Sequence, residues 1–295
     1  MKHILVTGGD GQLGIELQRT AWPQDWIVEA TGVADLDLRD TTAIVAKVLE
    51  KPWSAVVNAG AFTAVDAAER DVVTAWAVNA LAPAAFAQAC AVAAIPLIQL
   101  STDYVFDGNK KGRWDEDDRP APLNVYGASK LGGELAVSRA CARHAIIRTS
   151  WLVSAHGNNF VNTMLRLGID RKEIGVVCDQ VGAPTAAADL AAAIARIAVR
   201  LVDDPQAPLG NFHFSNAGAT TWHGFAEAIF AGAALRGRPS PRVVAIPTRE
   251  YPTAARRPSN SLLSHRAIDA AFGIRPRDWQ DALDEILDEL IGPKP

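Results

Sequence analysis

Tyr126 and Lys130 stand four residues apart in Tyr126-Gly127-Ala128-Ser129-Lys130, in a chain that opens with a strand-like run and a glycine-rich turn. Residues four apart on a helix share one face, with Cβ atoms roughly 5–6 Å apart. The spacing therefore sets an ammonium beside a phenol whose ordinary pKa is about 10. A neighbouring positive charge favours tyrosinate, so Lys130 is expected to bring the phenol down to where it hands a proton to a developing alkoxide near neutral pH. That is the chemistry of carbonyl reduction.

Such a pair needs a scaffold that brings a carbonyl and a reductant to it. His3-Ile4-Leu5-Val6-Thr7 reads as a buried strand, and Gly8-Gly9-Asp10-Gly11-Gln12-Leu13-Gly14 follows directly. Leu13, Leu17 and Ala21 then repeat at helical spacing. The glycines fit both G-x-G-x-x-G (Gly9, Gly11, Gly14) and G-x-x-G-x-x-G (Gly8, Gly11, Gly14), between strand and helix, where a pyrophosphate rests on helix N-terminal amides. Apolar runs at 26–28, 55–58, 96–100 and 145–148 alternate with helical stretches, one of them alanine-rich over 72–93. That rhythm predicts a doubly wound α/β fold of Rossmann type with a parallel sheet. Ligands of such sheets bind beyond the carboxyl ends of the strands. Gly8, the segment 59–63 and Ser101-Thr102-Asp103 all follow those ends.

From about Trp151 the sequence becomes more irregular. The expected organisation is a dinucleotide-binding domain over 1–150 and a smaller, discontinuous substrate lobe over 151–295. Helices at 186–202, 222–234 and 279–291 support the lobe, and a strand near 175–178 is expected to return to the main sheet.

The 295 residues are 49% hydrophobic, ample for a packed core. A net charge of −4 and a pI near 5.9 give none of the basic footprint that nucleic-acid binding needs. No run approaches the roughly 18 apolar residues of a membrane span, and Met1-Lys2-His3 leads into a core strand rather than a signal peptide. The expectation is a cytoplasmic enzyme with neither nucleic acid nor membrane as partner. Cys90, Cys141 and Cys178 are odd in number and set in apolar surroundings, which argues against a disulfide frame or a zinc site.

Taken together, the motifs resemble the extended short-chain dehydrogenase/reductase superfamily and, within it, the dTDP-4-dehydrorhamnose reductase family. The resemblance rests on the glycine turn, Val57-Asn58-Ala59-Gly60-Ala61-Phe62-Thr63, Ser101-Thr102-Asp103-Tyr104-Val105-Phe106, Tyr126 to Lys130, Arg148-Thr149-Ser150-Trp151, Gly157-Asn158-Asn159-Phe160 and the segment 179–185. It implies reduction of the 4-keto group of a dTDP-6-deoxyhexose by NADPH or NADH. Carried onto this chain, it implies a catalytic Thr102, Tyr126 and Lys130, with Tyr126 and Lys130 also touching the cofactor. Gly8, Gly11, Gln12 and Leu13 would line the pyrophosphate, Asp37 and Leu38 the adenine edge, and Ala61, Phe62 and Thr63 the length of the cofactor. Thr102, Asp103, Trp151 and Arg257 would meet the dTDP-sugar. Glu16, Asp189 and Glu289 resemble acids linked in part of the family with Mg²⁺ and with contacts in a homodimer.

Two alternatives share the scaffold. Another nucleotide-sugar 4-keto reductase would keep the same motifs, and a non-catalytic nucleotide-binding regulatory subunit would keep the fold, although Thr102, Tyr126 and Lys130 are all intact. Tyr104 stands where the resembling 4,6-dehydratases carry a glutamate, which disfavours dehydration. At the end of the second strand, Glu29-Ala30-Thr31-Gly32 offers Thr31 where NAD-selective sites place an acid for the ribose. NADPH is therefore expected to serve at least as well as NADH, and with no arginine following at once, strong selectivity is not expected.

Overall fold

The structure is a computed structural model that describes residues 1–294. Strand β1 (Lys2–Thr7) sends Ile4 and Val6 to one side and Leu5 to the other, all fully buried. A strand covered by helices on both faces demands that pattern. The chain continues through α1 (Gln12–Arg19), β2 (Trp26–Thr31), α2 (Thr41–Leu49), β3 (Ala55–Asn58), α3 (Val65–Ala68), α4 (Val72–Trp76), α5 (Ala82–Ala93), β4 (Leu97–Thr102), α6 (Val125–Ala140) and β5 (His144–Thr149). Side-chain caps start the helices where the chain must turn: Asp40 accepts from Thr42 and Ala43 at α2, and Asn124 accepts from Gly127 at α6.

The second half runs β6 (Leu152–Val153), α7 (Phe160–Asp170), β7 (Glu173–Val177), β8 (Val181–Gly182), β9 (Thr185–Ala186), α8 (Ala187–Asp203), β10 (Gly210–His213), β11 (Thr220–Thr221), α9 (Trp222–Ala234), β12 (Arg242–Ile246), α10 (Arg266–Phe272) and α11 (Trp279–Ile291). The main sheet is parallel throughout, in the order β10-β5-β4-β3-β1-β2. Alternate strand residues feed two cores. Ile4, Val6, Val57, Ile98 and Ile147 pack under α1 and α8, while Leu5, Val56, Leu97 and Ile146 pack under α2, α5 and α6. Strand order reverses at β1, so a crevice opens beyond the carboxyl ends of β1 and β3.

The fold is the expected doubly wound one, but two assignments in the second half change. β7 does not return to the main sheet; it pairs in parallel with β12 in a separate two-stranded sheet. The returning strand is β10, which carries only Phe212 as a large apolar residue and lies at the sheet edge. A short edge strand leaves little periodic signal in the sequence. Likewise α8 is a sheet-covering helix, with Leu190, Ile194, Ile197 and Leu201 in the core that holds Ile4 and Val6. The lobe has its own core, built by Val161 and Met164 of α7, Phe225 and Ile229 of α9, and Leu283 and Leu287 of α11.

A third expectation also changes. The continuous helical stretch Val72–Ala93, formed by α4, a π-helical turn at Ala77–Leu81 and α5, is long and apolar enough by length and composition to cross a membrane. Its apolar character has a structural cause here, since Phe86, Ala89 and Cys90 pack with Ile44 and Val48 of α2 and Val137 of α6.

The glycine turn is tight for a measurable reason. A Cβ on Gly14 would lie 2.0 Å from the Gly8 carbonyl oxygen, so α1 seats on the turn only with hydrogen at that position. Gly14→Ala is expected to destabilise the protein by about 1–3 kcal/mol, the usual cost of overpacking. Equal denaturant midpoints for variant and parent would show that the turn yields freely.

Candidate active site

A cavity of about 730 Å³ runs across the carboxyl ends of the sheet. Gly32, Asp37, Leu38 and Arg39 line one end, and Gly8, Gly11, Gln12 and Leu13 line the stretch next to it. Ala61, Phe62 and Thr63 follow, and Thr102, Asp103, Tyr126, Lys130, Trp151 and Trp222 close the other end. The structure thus gathers into one crevice every residue expected at the cofactor and the reacting carbon. Arg257, Glu16, Asp189 and Glu289 are not in its walls.

The long arm of the cavity suits a dinucleotide. Gly11 caps α1 without any side-chain hydrogen bond, which leaves the first helical amides free to face an anion. Gln12 Oε1 accepts from Ser154 Oγ and Asn159 Nδ2, both at 2.9 Å, and so ties the lobe to this turn. Deeper down, Thr7 Oγ1 donates to Asn58 Oδ1 at 2.6 Å and Asn58 Nδ2 to Gln99 Oε1 at 2.8 Å, a polar chain across three neighbouring strands. Asn79, in the π-helical turn, accepts from the Phe62 amide at 2.9 Å and donates to Phe62 O and Ser129 Oγ, both at 3.0 Å. It fastens the Ala61-Phe62-Thr63 segment to α6. At the far end the Arg39 guanidinium forks onto Asp37 and holds its carboxyl down at about 2.

At the other end, α6 presents Tyr126 and Lys130 on one face. Lys130 is buried, and its Nζ donates to Leu100 O at 2.6 Å. Burial brings the ammonium down to about 8, against the pull of the Glu134 carboxylate. Tyr126 does not behave as its spacing from Lys130 foretold. Burial pushes the phenol up to about 12, with only the adjacent Thr102 hydroxyl opposing the rise. Desolvation of the phenolate thus opposes the lowering that the Lys130 spacing foretold.

Thr102 Oγ1 donates to Asp103 Oδ1 and accepts from the Tyr104 amide, both at 3.1 Å. Asp103 is buried, its Oδ2 has no hydrogen-bond partner among the described residues, and burial raises its carboxyl to about 7. Tyr104 meets Tyr126 edge to face at 5.6 Å. Beneath them Glu134 accepts from Arg148 Nε at 2.9 Å, Arg148 Nη2 at 2.7 Å and Ser101 Oγ at 2.5 Å.

The residues outside the cavity have other partners. Arg257 forks onto Asp66, Nη1 to Oδ1 at 3.1 Å and Nη2 to Oδ2 at 2.6 Å, and so joins the late loop to α3. Glu16 and Glu289 do converge, with His156 as a third group. Arg19 Nη1 reaches all three, at 3.2 Å from Glu16 Oε1, 2.8 Å from Glu289 Oε1 and 2.5 Å from His156 Nε2. The cation they share is a guanidinium, and the set does not fit Mg²⁺, which requires a near-octahedral shell of oxygens. Asp189 belongs to neither group. Its carboxylate takes Arg277 Nε at 2.9 and 3.1 Å and Asn216 Nδ2 at 2.6 Å.

Four residues of the site lay outside the sequence reading. Arg39 stands two residues after Asp37, too far from Thr31 for strand-end reasoning to count it. Glu134 continues the Tyr126, Lys130 series by one more helical turn, and that spacing was the available signal. Asn79 and Trp222 gave none, because a π-helical turn and a contact from a distant helix place them.

A family model described as the RmlD substrate binding domain matches residues 1–291. The dTDP-4-dehydrorhamnose reductase of Sinorhizobium fredii is 40% identical over 291 residues, 98% of each chain. That of Burkholderia thailandensis is 42% identical over 298 residues, 98% of this chain and 99% of its own. A solved dTDP-4-dehydrorhamnose reductase from Bacillus anthracis, in complex with NADP, superposes with a TM-score of 0.91 at 35% identity, over 98% of this chain and 100% of its own. Full-length matches on sequence and on fold lead to one placement: the chain belongs to the dTDP-4-dehydrorhamnose reductase family.

Proposed function

We propose that the protein reduces the 4-keto group of dTDP-4-dehydro-6-deoxy-L-mannose with NADPH or NADH, giving dTDP-L-rhamnose. The observation that carries this reading is a single cavity lined both by the glycine turn and by Thr102, Tyr126 and Lys130. Gly8, Gly11, Gln12 and Leu13 would hold the pyrophosphate, Asp37 and Leu38 the adenosine end, and Ala61, Phe62 and Thr63 the stretch between. When bound, the reduced nicotinamide supplies a hydride.

The chain's own part is to place the carbonyl and deliver a proton. Thr102 donates to the sugar's C4 oxygen, and Tyr126, held neutral by burial, transfers its proton there as negative charge develops. Lys130 offsets the tyrosinate that is left. Asp103 and Trp151 position the sugar. The late lobe holds the sugar nucleotide and the early sheet holds the cofactor.

Tyr126→Phe keeps the ring and removes the proton. The expected result is a fall in kcat of about 10²- to 10⁴-fold, the usual span of general acid catalysis, with NADPH affinity nearly unchanged. Lys130→Met is expected to lower kcat and weaken cofactor binding together. Parental turnover by Tyr126→Phe in stopped flow would mean that the proton comes from elsewhere.

Cofactor choice follows from the far end of the cavity, where Arg39, forked onto Asp37, supplies a guanidinium, and from buried Thr31 at the end of β2, which carries no charge to repel a 2′-phosphate. The expected kcat/KM for NADPH equals or exceeds that for NADH, and Arg39→Ala erodes the NADPH value more. A preference for NADH above ~100-fold, about 2.7 kcal/mol, would contradict this assignment.

Arg257 is proposed to meet the diphosphate on leaving Asp66, since an arginine fork suits both carboxylate and phosphate. Arg257→Ala should raise KM for the sugar nucleotide and leave the calorimetric Kd of NADPH in place. Equal loss for both ligands would show that the residue merely holds the two lobes together.

A further inference from the structure

Trp222 opens α9, and its ring stacks on that of Trp151 with centroids 3.6 Å apart and planes 13° from parallel. Both rings line the end of the cavity that also holds Tyr126. Trp151 has a φ of 48°, in the left-handed region that a bulky side chain occupies only when its surroundings force it. Its surroundings do so from two positions. Trp222 covers the indole, and Gly182 makes room for it, since a Cβ there would stand 2.5 Å from the indole Cε2.

One short ladder sets both. Thr220 pairs with Gly182 and Thr221 with Val181 in the antiparallel β8–β11 pair, and Thr221 then caps α9 by accepting from the Gly224 amide. The next residue after that ladder is Trp222. Phe160 backs it at 4.7 Å, so the ring has little freedom to leave. A strained backbone at a cavity wall, held by a partner 71 positions away in sequence, is a device for aiming a side chain. With Trp222 on one face of the Trp151 indole and Gly182 against the other, the indole edge at the cavity wall is the part left to meet a ligand.

We infer that Trp222 is a positioning residue for the sugar site: it holds Trp151 in its left-handed conformation, and so fixes the indole edge that the reductase reading sets toward the sugar. The inference rests on the reductase reading above and deepens it by naming what orients the sugar over Tyr126.

The test uses the full-length protein, Trp222→Ala, Trp222→Phe and Gly182→Ala. dTDP-L-rhamnose and NADPH are titrated separately by calorimetry, and the exciton-coupled circular dichroism of the stacked indoles is recorded. Trp222→Ala should lose the couplet and weaken dTDP-L-rhamnose roughly tenfold, as the loss of an aromatic pair implies, with NADPH affinity within about twofold of the parent. Trp222→Phe should recover most of that affinity. Gly182→Ala keeps Trp222 but displaces Trp151, so it should match Trp222→Ala, and it carries the test by itself should that variant fail to fold. Unchanged sugar-nucleotide affinity in variants that have lost the couplet overturns the inference, as does equal weakening of NADPH. Those results, with normal binding by the parent, sink this inference alone. A parent that does not bind dTDP-L-rhamnose sinks the reductase reading and this inference with it.

Discussion

The buried ion pair between Glu134 and Arg148 is the interaction on which the site's geometry depends. Both side chains are almost wholly excluded from solvent, at 4% and 2% exposure. Glu134 lies on α6, one turn beyond Lys130, while Arg148 is the β5 register partner of Ser101 on β4. The carboxylate takes both Arg148 and Ser101, so it joins the helix carrying Tyr126 to the strand end carrying Thr102. Lys130 adds a second tie through Leu100 O, one residue before Ser101. Removing one partner of such a buried pair typically costs about 3–5 kcal/mol, because the other charge is stranded. Arg148 shows how thoroughly it is held, with its guanidinium also over the Phe106 ring at 5.1 Å.

Burial, rather than pairing, sets the protonation states above that tie. Desolvation pushes Tyr126, half-buried at the cavity wall, and Asp103 up and Lys130 down. The three shifts favour a neutral phenol, a carboxyl close to its titration point and a cation held at some expense. For Lys130 the folded pKa of about 8 lies below the ordinary 10.5. The penalty for folding around it is therefore full below about pH 8 and fades as pH rises towards the unfolded value.

What the sequence revealed and what it hid divide along sequence separation. The glycine turn, the strand rhythm and the Tyr126–Lys130 spacing are local patterns, and the Rossmann-type sheet follows from them. Lys130 sits beside the carbonyl of Leu100 because β4 and α6 pack, and nothing local announces how dry that contact is. The same limit hid β10, a four-residue edge strand with one large apolar side chain, and misassigned α8, whose apolar face reads alike whether it covers a sheet or a lobe. It also explains Glu16 and Glu289. The resemblance grouped them with Asp189 as candidate Mg²⁺ acids, and nothing in their spacing showed that these two meet or that Arg19, three residues after Glu16, supplies the cation between them.

The remaining link is how a lobe assembled from distant segments keeps register with a sheet it scarcely pairs with. Four polar contacts span the crevice near its two ends. Ser154 and Asn159 hold Gln12 at the glycine turn, while the Ala255 amide and the Arg257 guanidinium hold Asp66 at α3. Each is a polar contact made by side chains or loop backbone, open to competition from solvent and ligand oxygens, beside the apolar contact of Leu263 with Val105, Phe106 and Trp114. The Glu134–Arg148 tie below is buried and escapes that competition. On the proposed reading the reacting groups Thr102, Tyr126 and Lys130 stand on the sheet and its covering helix, next to this tie.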